Sequence, residues 1–181
     1  AARARAYLAQ YELTQQREWA EKAIAASRLA TVEGSQEAGA YETLGRVQLL
    51  LGEPLAATRE LERAVASQPN SVEARFALAA ALDQLGRASE AEAALRGAVA
   101  LQPGWWGTHS HLGVFLVNKG RFGESLPILR EAIRLSPDNT RAIGNLGIAY
   151  QQLGRYEEAL AEYRRSITIR PTPEALSNLA T

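Results

Sequence analysis

The chain has no cysteine and no methionine, only 2 histidines, and aromatic side chains at just 7% of its 181 residues. Without cysteine there is no disulfide, no thiolate nucleophile and no zinc–thiolate cluster, and the redox compartment stays open. An excess of charge is missing too: 20 Lys and Arg balance 20 Asp and Glu. The electrostatic footprint from which nucleic-acid or anionic-membrane binding would be argued is therefore absent, and neither partner is expected. No apolar run approaches the roughly 18 residues needed to cross a bilayer, and the opening AARARAYLAQ has no signal-peptide apolar core. A cytoplasmic location is favoured. Methionine is lacking even at position 1, so the sequence reads as an excised piece of a longer chain.

What is present favours helix. Ala, Leu, Glu, Arg and Gln dominate, and 46% of residues are hydrophobic, a mix that predicts an all-α protein. Punctuation comes at one fixed period: Pro69, Pro103, Pro137 and Pro171 are each 34 residues apart, and so are Gly52, Gly86, Gly120 and Gly154. A period in this range marks a solenoid of stacked helix pairs. Four units follow, 38–71, 72–105, 106–139 and 140–173, each reading helix, tight turn, helix, turn. Residues 1–37 hold two amphipathic stretches, roughly 2–14 and 18–31, without the Gly and Pro landmarks, and read as a degenerate or capping helix pair. Residues 174–181 begin a fifth unit that is cut off.

Each recurring residue type has a physical task. The Gly suits the left-handed residue just past a helix end, and the Pro disfavours helical geometry in the residue before it, ending the second helix. Ser71 can cap the next helix, and Thr172 with Pro173 offers a cap and a first-turn proline. Small residues recur at the eighth place, Gly45, Ala79, Gly113 and Gly147, and at the twentieth, Ala57, Ala91, Ser125 and Ala159. There they let two helix backbones approach. Pro127 falls well inside a second helix, which predicts a local kink near Gly123 to Pro127.

Leu146-Gly147 in the first helix, Gly154-Arg155-Tyr156 at the turn, Glu158-Ala159-Leu160 after it and Pro171 at the close make residues 38–173 resemble tetratricopeptide repeats. The resemblance implies a right-handed α–α superhelix of antiparallel helix pairs. Its concave groove would be lined by first helices and would take a peptide or partner protein. In this chain the groove places include Glu42, Arg46, Glu73, Phe76, Ser110, His111, Asn118, Arg141, Asn145, Gln151 and Asn178. The family's clamp for a terminal carboxylate needs Lys and Asn where Glu42, Arg46, Phe76 and Ala80 stand, so that clamp is missing. A second device is similar to the asparagine ladder of O-linked N-acetylglucosamine transferases, in which Asn before the Leu of successive units bonds a peptide backbone. Asn145 and Asn178 would be its rungs, with His111 as a further polar rung, while Thr43 and Ala77 interrupt it. The entry segment YELTQQREWAEKAIAASRLA is similar to that of repeat regions attached to bacterial signalling kinases or cyclases.

Other features have plainer readings. His109 and His111 lie about 200° apart around a helix and cannot share a metal; His109 reads as a packed histidine bonded between helices. The pair Trp105-Trp106 reads as packing of at least one ring at a repeat junction, and Glu157-Glu158 and Arg164-Arg165 read as solvated faces. No phosphate loop, metal-ligand spacing or nucleophile constellation appears, so no catalytic residue, metal or cofactor is expected. The expected function is a non-catalytic protein–protein interaction scaffold, with Asn145, Asn178, His111, Arg141, Gln151, Asn118 and Ser110 as peptide-binding candidates. The alternatives are the regulatory or substrate-selecting arm of a larger enzyme, and a self-associating solenoid whose apolar end at Leu176 and Leu179 forms a homodimer contact.

Overall fold

The structure, a computed structural model, describes residues 2–32 and 38–171. It is all-α: α1 (Ala2–Thr14), α2 (Arg17–Val32), α3 (Ala38–Leu50), α4 (Pro54–Ser67), α5 (Val72–Gln84), α6 (Ala88–Leu101), α7 (Trp106–Asn118), α8 (Phe122–Leu135), α9 (Thr140–Gln152) and α10 (Tyr156–Ile169). The chain divides into two compact units, one reaching to Ala98 and the other starting at Val99, in the last turn of α6.

The turns inside the helix pairs repeat one geometry. Gly52, Gly86, Gly120 and Gly154 have φ of 78°, 74°, 71° and 73°. At each, the N–H of the following residue reaches back across the turn to a carbonyl of the helix, as from Arg87 to Leu82 and from Arg121 to Leu116, both at 2.9 Å. This is the Schellman motif, and it satisfies carbonyls that the helix end would otherwise orphan. The first pair lacks the glycine. There Gln15 itself adopts φ 55°.

The residue after the glycine then clamps the next helix. Arg87, Arg121 and Arg155 each make two hydrogen bonds to the glutamate three residues on, Glu90, Glu124 and Glu158, at 2.6–2.9 Å. Between pairs the caps are side-chain oxygens: Ser71 Oγ accepts from the Ala74 N–H at 3.0 Å and Asn139 Oδ1 from the Ala142 N–H at 3.1 Å. Gln68, Ser136 and Arg170 leave helical geometry just before a proline. Thr172 and Pro173 lie outside the described residues.

In the first unit, α1 and α2 close over Leu8, Tyr11, Ala20 and Ala23, with Val47 of α3 in the same cluster. Leu61 of α4 is fully buried beside Ala57 and Ala81. In the second, Leu129, Ala132, Ala142, Ile143, Leu146 and Tyr163 form one core across α8, α9 and α10. The eighth-place glycines explain how closely the pairs approach. A Cβ on Gly45 would sit 2.5 Å from Leu61 Cγ, and one on Gly113 2.5 Å from Leu129 Cδ2. Gly147 is covered in the same way by the Tyr163 ring. The kink expected near Gly123 to Pro127 falls inside one continuous helix, α8, which contains the proline.

Candidate peptide-binding face

The buried glycines calibrate the direction of every side chain on α7 and α9. Gly113 faces Leu129 of α8, and Gly147 faces Tyr163 of α10. At 100° per residue, His111 and Asn145, each two residues earlier, point about 200° away from those partners. Asn118 and Arg141 fall on the same side, about 140° and 120° around from the respective glycine. α7 and α9 pack against one another. His111, Asn118, Arg141 and Asn145 therefore share one face, turned from the second helices.

Two candidates do not share it. Gln151 lies four residues past Gly147, only about 40° from the direction of α10, and its Oε1 accepts a 2.7 Å hydrogen bond from the Tyr163 hydroxyl. It is a packing residue of the α9–α10 pair. Ser110 lies about 60° from Gly113 and is 1% exposed, with its hydroxyl unbonded among the described residues. A ligand on the surface cannot reach it. Asn178, the second expected rung, falls outside the described residues, as do Leu176 and Leu179 of the expected dimer contact.

The remaining groups form a polar face beside an apolar floor. The Asn145 amide donates to the Arg141 carbonyl at 2.9 Å, a bond within its own helix, and its Oδ1 accepts none among the described residues. Arg141 is exposed. His111 is half-buried, and its pKa is lowered, first by burial and then by the Arg141 guanidinium. Its imidazole is therefore held neutral, able both to donate and to accept. Ile148, partly buried against the core, continues the face along α9.

His109 has a structural task. Its Nε2–H donates to the Pro103 carbonyl at 2.8 Å, and Arg75, at the corresponding place one repeat earlier, donates to the Pro69 carbonyl at 3.0 Å. Each ties a proline turn to the helix after it. Trp105 lays its indole against Gly107, while Trp106 is 40% exposed, the two rings edge to face at 6.2 Å. Gly-Arg followed by Glu, and Asn before an apolar-periodic run, are the sequence signals for the arginine–glutamate clamps and the Asn139 cap.

Four antiparallel helix pairs of 13 and 14 residues, joined by one glycine turn geometry and packed through small residues, define an α-helical repeat protein. Models of the tetratricopeptide repeat match residues 48–111 and 107–172. The chain belongs to the tetratricopeptide repeat family, whose members are protein-interaction scaffolds. No curated protein matches the sequence. Among solved structures, TTC0263 from Thermus thermophilus, a thermophilic tetratricopeptide repeat protein, aligns with TM-score 0.75 and 22% identity over 98% of this chain and 100% of that one. MamA aligns with TM-score 0.75 and 22% identity over 84% and 90%. YrrB, described as having an unusual peptide-binding site, aligns with TM-score 0.74 and 24% identity over 97% and 91%. At these identities the likeness is one of fold. Among the described residues no three His, Asp or Glu side chains are grouped as metal ligands, and no helix is long and apolar enough to cross a membrane.

Proposed function

We propose that the chain is a non-catalytic interaction module that holds an extended peptide segment of a partner protein against the α7–α9 face. The observation that carries this is angular. His111 and Asn145 occupy the same direction on neighbouring helices, away from the side chains packed on Gly113 and Gly147, and Asn145 Oδ1 accepts no bond among the described residues. A carboxamide and a neutral imidazole both donate and accept, so each can pair with a peptide group of an extended strand without reading its side chains. Arg141 adds a cation at the edge of that line. A solved relative in fold, YrrB, is described as a peptide-binding repeat protein, which agrees with this use of the fold.

Asn178, 33 residues beyond Asn145 in the sequence, would be the second rung of this ladder. The test is an immobilised random-peptide screen with the intact chain, followed by affinity measurement for the selected peptides. Asn145→Ala combined with Asn178→Ala should weaken binding about ten-fold, the loss expected from two neutral hydrogen bonds of modest net worth, with melting unchanged. Undiminished binding by that variant would sink the reading.

A further inference from the structure

A second surface lies in the other unit and has different chemistry. Leu49 and Leu50 of α3 and Phe76 and Ala77 of α5 line a cavity of about 350 Å³ together with Glu12, Arg46 and Glu73. Leu50 is 48% exposed there. An adjoining cavity of about 440 Å³ brings Glu42 and Arg5 to the same three charged residues, so that three carboxylates face two guanidinium groups. The helices that carry them, α1, α3 and α5, pack against one another in order.

The charges in this groove are not balanced one for one. Arg46 bonds Glu12 at 2.7 Å and stands 3.9 Å from Glu42. Glu73 makes no hydrogen bond or ion pair among the described residues. Its place in the first turn of α5 accounts for an acidic residue there through the helix dipole, but leaves its oxygens without a side-chain partner. Burial raises the Glu42 carboxyl above its ordinary pKa. Arg46 and Arg5 act against that rise, and the Glu73 carboxylate adds to it. A further cation in the groove would relieve both acids.

We propose that this groove is the docking site for a basic side chain, lysine or arginine, of a partner peptide, its aliphatic stem on Leu49, Leu50 and Phe76 and its charged head on Glu73. Long basic side chains combine an apolar stem with a charged tip, which is the pairing that the groove presents in complementary form. An acidic residue would meet Glu73 and Glu42 with like charge, and a purely apolar one would leave Glu73 facing an uncharged chain. The inference rests on reading the chain as a peptide-binding module, and it assigns that module a preference that the α7–α9 face does not supply.

The experiment uses the intact chain and three short peptides, acetylated and amidated at their ends, with lysine, norleucine or glutamate flanked by leucines. Binding is followed by amide chemical shifts and by anisotropy at two ionic strengths. The lysine peptide should bind best, shift amides in residues 42–50 and 73–77, and weaken with salt. Glu73→Gln should cost about five-fold in affinity for it, as an exposed ion pair does. Glu73→Lys, on the exposed first turn, should reverse the preference toward the glutamate peptide. Equal binding of the lysine and norleucine peptides, or indifference to Glu73→Gln, overturns the proposal. Shifts confined to residues 108–151 overturn it while leaving the module reading intact, and absence of binding by any peptide, with the fold preserved, overturns both.

Discussion

His111 is half-buried next to the Arg141 guanidinium, and both burial and that charge resist its protonation. Its pKa in the folded chain is lowered from the ordinary 6.5. As pH falls below that ordinary value, the unfolded chain takes up a proton that the folded chain refuses, so stability falls with pH until the lowered folded value is passed. Above 6.5 the contribution is flat. Glu42 has the opposite sign: its pKa is raised from 4.5, so the folded chain keeps a proton longer, and its contribution is lost as pH rises above 4.5. The two slopes oppose one another between these values, and only a difference isolates either. Urea unfolding across pH 5 to 8, compared between wild type and His111→Gln, should show the difference shrinking as pH drops below about 6.5, in favour of the variant; parallel curves would contradict the burial of the imidazole. At this scale the sequence was legible in part. The repeat places carried over from the resemblance put Gln151 and Ser110 with the ligand face. Direction around a helix is fixed only once one contact is known, and Gly147 against Tyr163 turns Gln151 toward α10.

Helix ends were the most legible elements, because they depend on backbone preferences that a residue type states directly. Four glycines at one phase become four left-handed residues with φ between 71° and 78°, since only glycine enters that region without steric cost. The ends capped by side chains are less legible: Ser71 stands out as a cap, whereas Asn139 is hidden by the periodicity that begins at Thr140. The arginine–glutamate clamps escaped because arginine is not a capping residue by type, and its reach across the turn is a matter of geometry. Two substitutions test the turn with opposite signs. Gly86 has no atom within 4 Å of where a Cβ would sit, so Gly86→Ala adds no clash and should cost only the left-handed backbone, about 1 kcal/mol. Gln15 already bears that cost at φ 55°, and Gln15→Gly should return about the same amount, less the added freedom of glycine in the unfolded chain. Thermal melts of both variants check the pair; a loss at both positions would show that Gln15 is held by its side chain, whose Nε2 donates to the Glu12 carbonyl at 3.1 Å.

Within each unit, helices pack on helices one or two places away: α1 on α2 and α3, α3 on α4 and α5, α7 on α8 and α9. Stability in such an architecture is close to a sum of pairs and the contacts between neighbours, so damage is expected to stay near its origin. That is also why a period in the sequence was enough to give the class of fold, whereas the ligand was not: packing repeats from copy to copy, but the outward face is where the copies differ, with Arg46, Ala80, Val114 and Ile148 at the same place of successive units. Gly113 is the position at which to probe locality. A side chain there meets Leu129, itself fully buried and unable to withdraw. Gly113→Val should force α7 and α8 apart and cost about 3 kcal/mol, the upper range for overpacking a filled core. Hydrogen exchange should then show the loss concentrated in α7, α8 and α9, while amides of α1–α4 keep most of their protection. Uniform loss along the chain would mean that the array unfolds as one cooperative block, and unchanged melting would mean that the glycine is not what sets the approach of the two helices.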